Sequence, residues 1–265
     1  ATPIPRTLAM AAYSDLDVSA IDELPPGRTP VQTVALSAER RPELVERIRA
    51  ACAEGRQAYW VCTLIDDSDE VVAQAAQTTY EALSASLPEL RVALVHGRMK
   101  AADKQATMRR FKEGEADLLV ATTVIEVGVD VPNASLMIIE NAERLGLAQL
   151  HQLRGRVGRG ATASSCVLMY QPPLSAMARH RLATMRETND GFVIAEKDLE
   201  LRGPGELLGT RQTGLAAFRV ADLARDAGLL PQVHALAERL LAEDPSIADR
   251  VIHRWVGGAA RYASA

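Results

Sequence analysis

Short apolar segments alternate with longer amphipathic segments from residue 31 to residue 170 of this chain. The short segments, such as the run at 58–65, have the continuous apolar character of strands covered on both faces. The longer segments have helical periodicity and end at glycine or proline. This order predicts an α/β fold, a parallel sheet with helices on both faces joined by right-handed crossovers. The predicted strands are 31–36, 58–65, 91–96, 117–122, 135–140 and 165–170, and the helices between them are 41–53, 70–87, 101–111 and 148–157.

The alternating pattern has a candidate linker before it and a change of pattern after it. Residues 25–30 read PPGRTP, a composition typical of linkers. Residues 1–30 are therefore predicted to be the tail of a preceding domain with its linker, and 31–173 to be the sheet domain. Beyond it we expect a mainly helical region, 174–265, with helices at 175–188, 220–242 and 247–255.

Three arginines and several glycines lie close together at residues 149–160, which read QLHQLRGRVGRG. Arg156 and Arg159 are three positions apart and would project from the same face of a helix. Gly155 and Gly158 would each cost that helix roughly 1 kcal/mol relative to alanine. Glycine allows a close backbone approach, and paired guanidinium groups suit an oxyanion-rich partner such as a nucleotide phosphate. The alternative, a basic helix end that favours the helix dipole, accounts poorly for the glycines.

Ligands of open parallel sheets gather at the carboxyl ends of the strands. The segments to examine are thus the loop at Gly97, the loop 122–132 and the start of the arginine-bearing helix. The loop 122–132 reads TTVIEVGVDVP. In it, Gly128 permits an unusual turn and Asp130 could accept a hydrogen bond from a ribose hydroxyl. The alternative is a plain turn with a capping aspartate. Arg98 suits a phosphate backbone, although a solvated loop arginine explains it equally well.

Residues 190–214, DGFVIAEKDLELRGPGELLGTRQTG, are rich in glycine and carry charges of both signs. The mixed charge does not predict a DNA-binding patch. The glycines, together with Arg202 and the Arg211-Gln212 pair, predict a hairpin that hydrogen-bonds to another part of the protein. A glycine-rich surface loop is the alternative, but the leucines of this segment favour burial.

Composition excludes several classes of protein. The net charge of −4 does not suit a general polyanion binder, so any nucleic-acid contact must come from local patches. The three cysteines and five histidines have neither disulfide nor zinc-site spacing, which favours buried thiols in a reducing compartment and no metal site. No apolar run has the length of a membrane span, so no membrane partner is expected.

Several of these segments together resemble the superfamily 2 helicases. QLRGRVGR at 152–159 resembles their motif VI, ATTVIEVGVDVPNA at 121–134 their motif V, and ATPIPRTL at 1–8 the end of motif III. The segment 190–214 resembles the translocation motif shared by the RecG family of branched-DNA helicases and the Mfd family of transcription-repair coupling factors. Its LRGPGELLGTRQTG, and a chain that ends soon afterwards in short helices, resemble RecG more closely.

The resemblance implies a RecA-like second motor domain at 31–173, followed by the translocation-motif hairpin. It implies ATP and Mg²⁺ as cofactors of the full-length protein, branched DNA (stalled forks and Holliday junctions) as the substrate, and a bacterial cytoplasmic location. Arg156 and Arg159 would contact the terminal phosphate of the nucleotide, Arg159 as the arginine finger. The remaining implied roles fall into two groups: Gln152, Gly128 and Asp130 face the nucleotide, and Thr2, Arg98, Arg181, Arg202 and Gln212 couple ATP state to DNA translocation.

The sequence departs from the family pattern in one respect. It contains neither a G-x-x-x-x-G-K-[ST] phosphate loop nor a DExH box. By resemblance, both belong to a first motor domain that precedes residue 2, together with a wedge domain that splits the junction. The expectation is therefore a C-terminal portion of a helicase that is inactive alone and binds no cofactor alone. A non-catalytic nucleotide- or DNA-binding module is the alternative from another functional class.

Overall fold

The computed structural model describes residues 30–63, 69–123, 131–160, 162–202, 227–244 and 246–255. These residues form two compact units, divided between Ile194 and Ala195. Of the predicted site residues, Thr2, Gly128, Asp130 and Gln212 lie outside the described residues, as does the side chain of Arg202.

The first unit is built on a six-stranded parallel sheet, as predicted. Its strands lie in the order β1-β6-β5-β2-β4-β3. Their bounds are β1 Gln32–Ser37, β2 Gln57–Val61, β3 Val92–Val95, β4 Leu118–Ala121, β5 Ala134–Ile139 and β6 Ser165–Tyr170. The central strands β2 and β4 are buried throughout, which explains their continuous apolar sequence.

Helices cover both faces of this sheet. On one face, Trp60 and its alternate neighbours pack in a cluster with Leu44 and Ile48; on the other, the ring of Tyr59 lies 5.0 Å from that of Phe111. Alternation of side chains along β2 therefore supplies both cores. The helices of the first unit are α1 Arg41–Ala53, α2 Asp69–Ser86, α3 Ala101–Lys112, α4 Leu147–Arg154, α5 Ala176–Glu187 and the start of α6 Gly191–Arg202, with short 3₁₀ helices at Ala38–Arg40 and Ala142–Arg144.

Turn residues end these helices where the sequence predicts. Gly55 follows α1 with φ +83° and Gly114 follows α3 with φ +77°, a backbone region that favours glycine. Pro42 lies in the first turn of α1, where its missing N–H costs nothing.

Two expectations about helices differ from the structure. The arginine-bearing helix, expected to reach residue 157, ends at Arg154, and Arg156 and Arg159 lie in the turn that follows. The segment 190–202, expected to be part of a hairpin, begins as the regular helix α6. The helix α5 lies within the predicted range 175–188 and packs against β1 of the sheet.

The second unit contains the later part of α6, a 3₁₀ helix at Ala227–Leu229, and the helices α7 Leu230–Glu243 and α8 Ser246–Trp255, which pack on each other. Among the described residues, no helix is both long enough and apolar enough to cross a membrane. The cysteines Cys52, Cys62 and Cys166 are free and buried, as predicted. Burial raises the pKa of the Cys52 thiol to about 11.

Candidate nucleotide and nucleic-acid site

The motif VI turn, residues 155–160, is the candidate phosphate-binding segment and begins where α4 ends. Leu147, Leu150 and Leu153 lie at helical spacing and are fully buried, so they fix this helix on the sheet. At its carboxyl end the backbone tightens, because the amide of Arg156 donates to the carbonyl of Leu153 at 3.0 Å. The Arg156 and Arg159 side chains that follow are partly exposed. A turn, rather than a shared helical face, therefore presents these two arginines.

Glycine is required twice in this turn. Gly158 has φ +74°, where a side chain would be strained. A Cβ on Gly160 would lie 2.5 Å from the carbonyl oxygen of Pro132, so the two backbone segments pack directly on each other. The close approach was predicted at Gly155 and Gly158, whereas the structure places one at Gly160, and it is an approach to the chain itself.

The side chain of Arg159 folds back towards the end of α4. Its Nε donates to the carbonyl of Gly155 at 3.2 Å, which uses one of the five N–H groups of the guanidinium. Gln152 lies one turn earlier on α4 and is partly exposed. The structure thus brings Gln152, Arg156 and Arg159 together at one end of a helix. Their distance from Gly128 and Asp130 is not defined by the described residues.

Arg154, the third arginine of the stretch, points inward. It is 3% exposed, and its Nη1 donates to the carbonyls of Met185 at 2.8 Å and Thr188 at 2.9 Å. Its Nη2 lies 3.1 Å from His151 Nδ1. Burial, and secondarily the charge of Arg154, lower the pKa of His151 to about 4, so the imidazole is neutral. Sequence reasoning missed this role, although Arg154 falls at helical spacing from the buried Leu147 and Leu150.

The turn lies at the amino ends of the strands. Gly160 touches Pro132, two residues before β5, and Arg154 Nη1 lies 3.4 Å from Thr33 Oγ1 near the start of β1. The expectation that ligands gather at the carboxyl ends therefore does not describe the position of these arginines. It rested on the start of α4, which does lie at the carboxyl end of β5, whereas α4 carries the arginines across the sheet to the opposite edge.

Arg98 lies at the carboxyl edge of the sheet, after β3, where its guanidinium pairs with Glu70 at 3.0 Å. Both side chains are exposed, so this pair stabilises little. Arg181, on α5, donates from Nη2 to the carbonyl of Glu143 at 2.7 Å in the 3₁₀ helix after β5. These two arginines thus belong to the carboxyl half of the sheet, away from the motif VI turn.

A charged cluster that the sequence did not indicate also occupies the carboxyl edge. Arg41 at the start of α1 pairs with the buried Glu140 at 2.5 Å, and its guanidinium lies 4.8 Å from the Trp60 ring centroid. The hydroxyl of Thr63 donates to the carbonyl of Glu140. Among the described residues, no group of three or more His, Cys, Asp or Glu could hold a metal ion.

Comparison with known proteins identifies the family to which this chain belongs. Residues 40–161 match the model of the helicase conserved C-terminal domain, and residues 188–253 match domain 3, C-terminal, of the ATP-dependent DNA helicase RecG. The chain is 66% identical over its whole length to RecG of Escherichia coli strain K12 and 63% identical to that of Haemophilus influenzae, and it spans 38% of the length of each. A solved structure of RecG bound to a three-way DNA junction matches 86% of this chain, and the chain covers 29% of it, with 48% identity and a TM-score of 0.67.

Proposed function

Because this chain belongs to the RecG family of ATP-dependent DNA helicases, we propose that it is the C-terminal motor portion of a double-stranded-DNA translocase that remodels branched DNA, such as stalled forks and Holliday junctions. The match of residues 188–253 to a RecG domain favours RecG over the related coupling factor Mfd. The matched protein seen on a three-way junction is the reason for proposing branched DNA as the substrate.

The observation that carries the proposal is the placement of two groups of arginines at opposite edges of one sheet. The motif VI turn lies at the amino ends of β5 and β1. Arg98, after the carboxyl end of β3, and Arg181, which contacts the segment after β5, lie in the carboxyl half of the sheet. A motor must bind nucleotide and DNA at the same time without competition between two polyanions, and separate edges provide for that.

The motif VI turn has the donor chemistry for a nucleotide phosphate. Two guanidinium groups within four residues offer planar, permanently charged donors, which suit phosphate oxygens better than lysine would. In the proposed site Arg156 and Arg159 contact the terminal phosphate, and Arg159 is the arginine finger that stabilises charge in the transition state. Gln152 contributes to the same surface. ATP bound here would supply the phosphoryl group, with Mg²⁺ held by the rest of the full-length protein.

The other predicted residues belong to the proposed coupling of ATP state to movement. Arg181 ties α5 to the segment after β5, and α5 leads into α6, whose last residue is Arg202. Arg202 and Gln212, with Thr2 and Arg98, are proposed to link closure of the nucleotide site to a step along duplex DNA. Gly128 and Asp130 are proposed to face the nucleotide.

The simplest test uses the 265-residue chain as it stands. It contains no phosphate loop and no DExH box, so we expect it to show no DNA-stimulated ATP hydrolysis above a buffer blank. Phosphate release would be measured with and without a synthetic fork. Robust turnover by this chain would contradict the assignment of the phosphate loop to another part of the protein.

A second test, in the full-length protein, separates the proposed nucleotide-binding residues from the proposed coupling residues. Arg159→Ala should lower the kcat of ATP hydrolysis by about 10³-fold or more, the usual cost of removing an arginine finger, while fork binding persists. Gln212→Ala should leave DNA-stimulated ATP hydrolysis largely intact and impair fork unwinding. If both variants lost only ATP hydrolysis, the coupling role of Gln212 would be wrong.

A further inference from the structure

Arg154 occupies a position that phosphate recognition does not explain. It lies inside the motif VI sequence, two residues before Arg156, yet its guanidinium is buried and directed away from the turn. Both of its Nη1 carbonyl contacts are made to the end of α5 and the residues just beyond it. The last carbonyls of a helix have no partner within the helix and carry its negative dipole end. A buried cation is well placed to satisfy them.

The contact to Thr188 continues into α6 through a short series of hydrogen bonds. Arg154 donates to the Thr188 carbonyl at 2.9 Å, and the Asp190 amide donates to the Thr188 hydroxyl at 3.0 Å. The Asp190 carboxylate then accepts from the amide of Phe192 at 2.7 Å. This is the arrangement of a helix N-cap, so Asp190 determines where α6 begins.

On the other side, Arg154 is joined to the motif VI turn. Its neighbour Gly155 provides the carbonyl that accepts from Arg159 Nε at 3.2 Å. The Val157 amide donates to the Arg154 carbonyl at 3.3 Å. A shift of the Arg159 side chain therefore acts on the peptide next to Arg154, and that residue holds the start of α6.

We propose that Arg154 is a positioning residue, which transmits the position of the motif VI turn to the N-cap of α6 through Thr188 and Asp190. Its guanidinium can do this because its planar array of donors reaches two carbonyls and His151 at once. The inference that this link serves translocation rests on the proposed function. The link itself does not.

The first experiment therefore measures the link in the 265-residue chain. Amide hydrogen exchange would be followed by mass spectrometry in Arg154→Lys, which keeps the charge but not the planar donors. We expect exchange at residues 190–194 to accelerate about tenfold or more, with β4 unchanged. Thr188→Val removes the next contact in the series and should accelerate the same amides without touching Arg154. Thr33→Ala removes only the 3.4 Å contact to β1 and should leave them at the wild-type rate.

Wild-type exchange at 190–194 in both Arg154→Lys and Thr188→Val would overturn the proposal.

The second experiment, in the full-length protein, measures base pairs unwound per ATP hydrolysed on a synthetic fork. A purely structural role would lower hydrolysis and unwinding together, whereas loss of positioning should lower the ratio about fivefold or more in Arg154→Lys and not in Thr33→Ala. An unchanged ratio would overturn the translocation role. If the wild-type protein unwound nothing, the proposed function would fail, and the exchange measurement alone would decide the link.

Discussion

His151 is neutral because it is buried, and because the arginine beside it has only donors to offer. Arg154 Nη2 lies 3.1 Å from His151 Nδ1, and a guanidinium cannot accept a hydrogen bond. Nδ1 must therefore be the acceptor, which places the remaining ring proton on Nε2. Protonation of Nδ1 would break this bond and set two cations together in a buried site. Burial and the Arg154 charge accordingly lower the His151 pKa to about 4 from an ordinary value of 6.5, against a smaller opposing effect of Asp190.

Replacement of His151 should change how stability depends on pH. The folded pKa lies below the unfolded value, so the unfolded chain binds more protons between the two. This contribution is fully present above pH 6.5 and is lost as pH falls towards 4, by on the order of 2 to 3 kcal/mol. His151→Gln retains an acceptor that does not titrate and should flatten this part of the stability curve. Urea unfolding at pH 4.5 and 7.5 would measure it, with the exposed His180→Gln as the control. Equal pH dependence in wild type and His151→Gln would contradict the account.

The arginine stretch shows what a sequence can and cannot predict at individual residues. Its glycines indicated a close backbone approach within a helix, whereas the helix ends before them and the close approach is made by Gly160 to Pro132. The number of arginines indicated phosphate binding, but it did not separate the buried Arg154 from Arg156 and Arg159. That separation depends on α5, whose carbonyls are supplied by residues about thirty positions further along the chain. Long-range partners of this kind leave no periodic signal.

Strands and helices were predicted more accurately than the site. All six strands of the sheet and the helix α1 fall where the apolar pattern places them, because burial on both faces leaves a continuous run and burial on one face leaves a helical period. The error in α4 has a local cause. Gly155 ends the helix, although the apolar period continues to Val157, which is buried from a turn. The strand order was not predictable, since apolar runs do not identify their neighbours.

The ion pair between Arg41 and Glu140 joins the start of α1 to the end of β5. A cation at the first turn of a helix opposes the helix dipole, so this arginine depends on its partner. Glu140 is 8% exposed, and Glu140→Gln would leave the guanidinium without its counter-charge. We expect the free energy of unfolding to fall by about 1–3 kcal/mol. Glu43→Gln is a matched control, because Glu43 pairs with Arg40 where both side chains are exposed. Its stability should equal that of the wild type, and equal losses in the two variants would show that burial does not govern this pair.

Within the first unit, α5 runs between the two edges of the sheet. Its Arg181 contacts the segment after β5 at the carboxyl edge, and its last carbonyls bind Arg154 near the amino edge. Both contacts are polar and directional, so a regular helix of twelve residues connects the proposed DNA edge to the proposed nucleotide edge. A helix suits this task because its internal hydrogen bonds make it stiff along its axis.

The two compact units should differ in local stability. In the first, the central strands are buried on both faces, so opening them exposes most of the core. In the second, large apolar side chains of the helical region are 45–53% exposed: Leu229, Val233, Leu236, Leu241 and Val251. Because burial supplies most of the stability of a helix in water, helices that bury little should open readily.

Hydrogen exchange of the 265-residue chain at neutral pH would measure this difference directly. We expect amides of α7 and α8 to exchange about a hundredfold or more faster than those of β4, whose protection should approach the global free energy of unfolding. Low urea should accelerate exchange in β4 more than in α7, because the opening that exposes β4 uncovers more surface. Val233→Ser, at a site already half exposed, should leave β4 exchange unchanged, whereas Val120→Ala in the buried strand should accelerate it. If α7 and β4 exchanged at one rate with one dependence on urea, the whole chain would unfold as a single cooperative unit, and the exposed apolar side chains of α7 would not indicate local weakness.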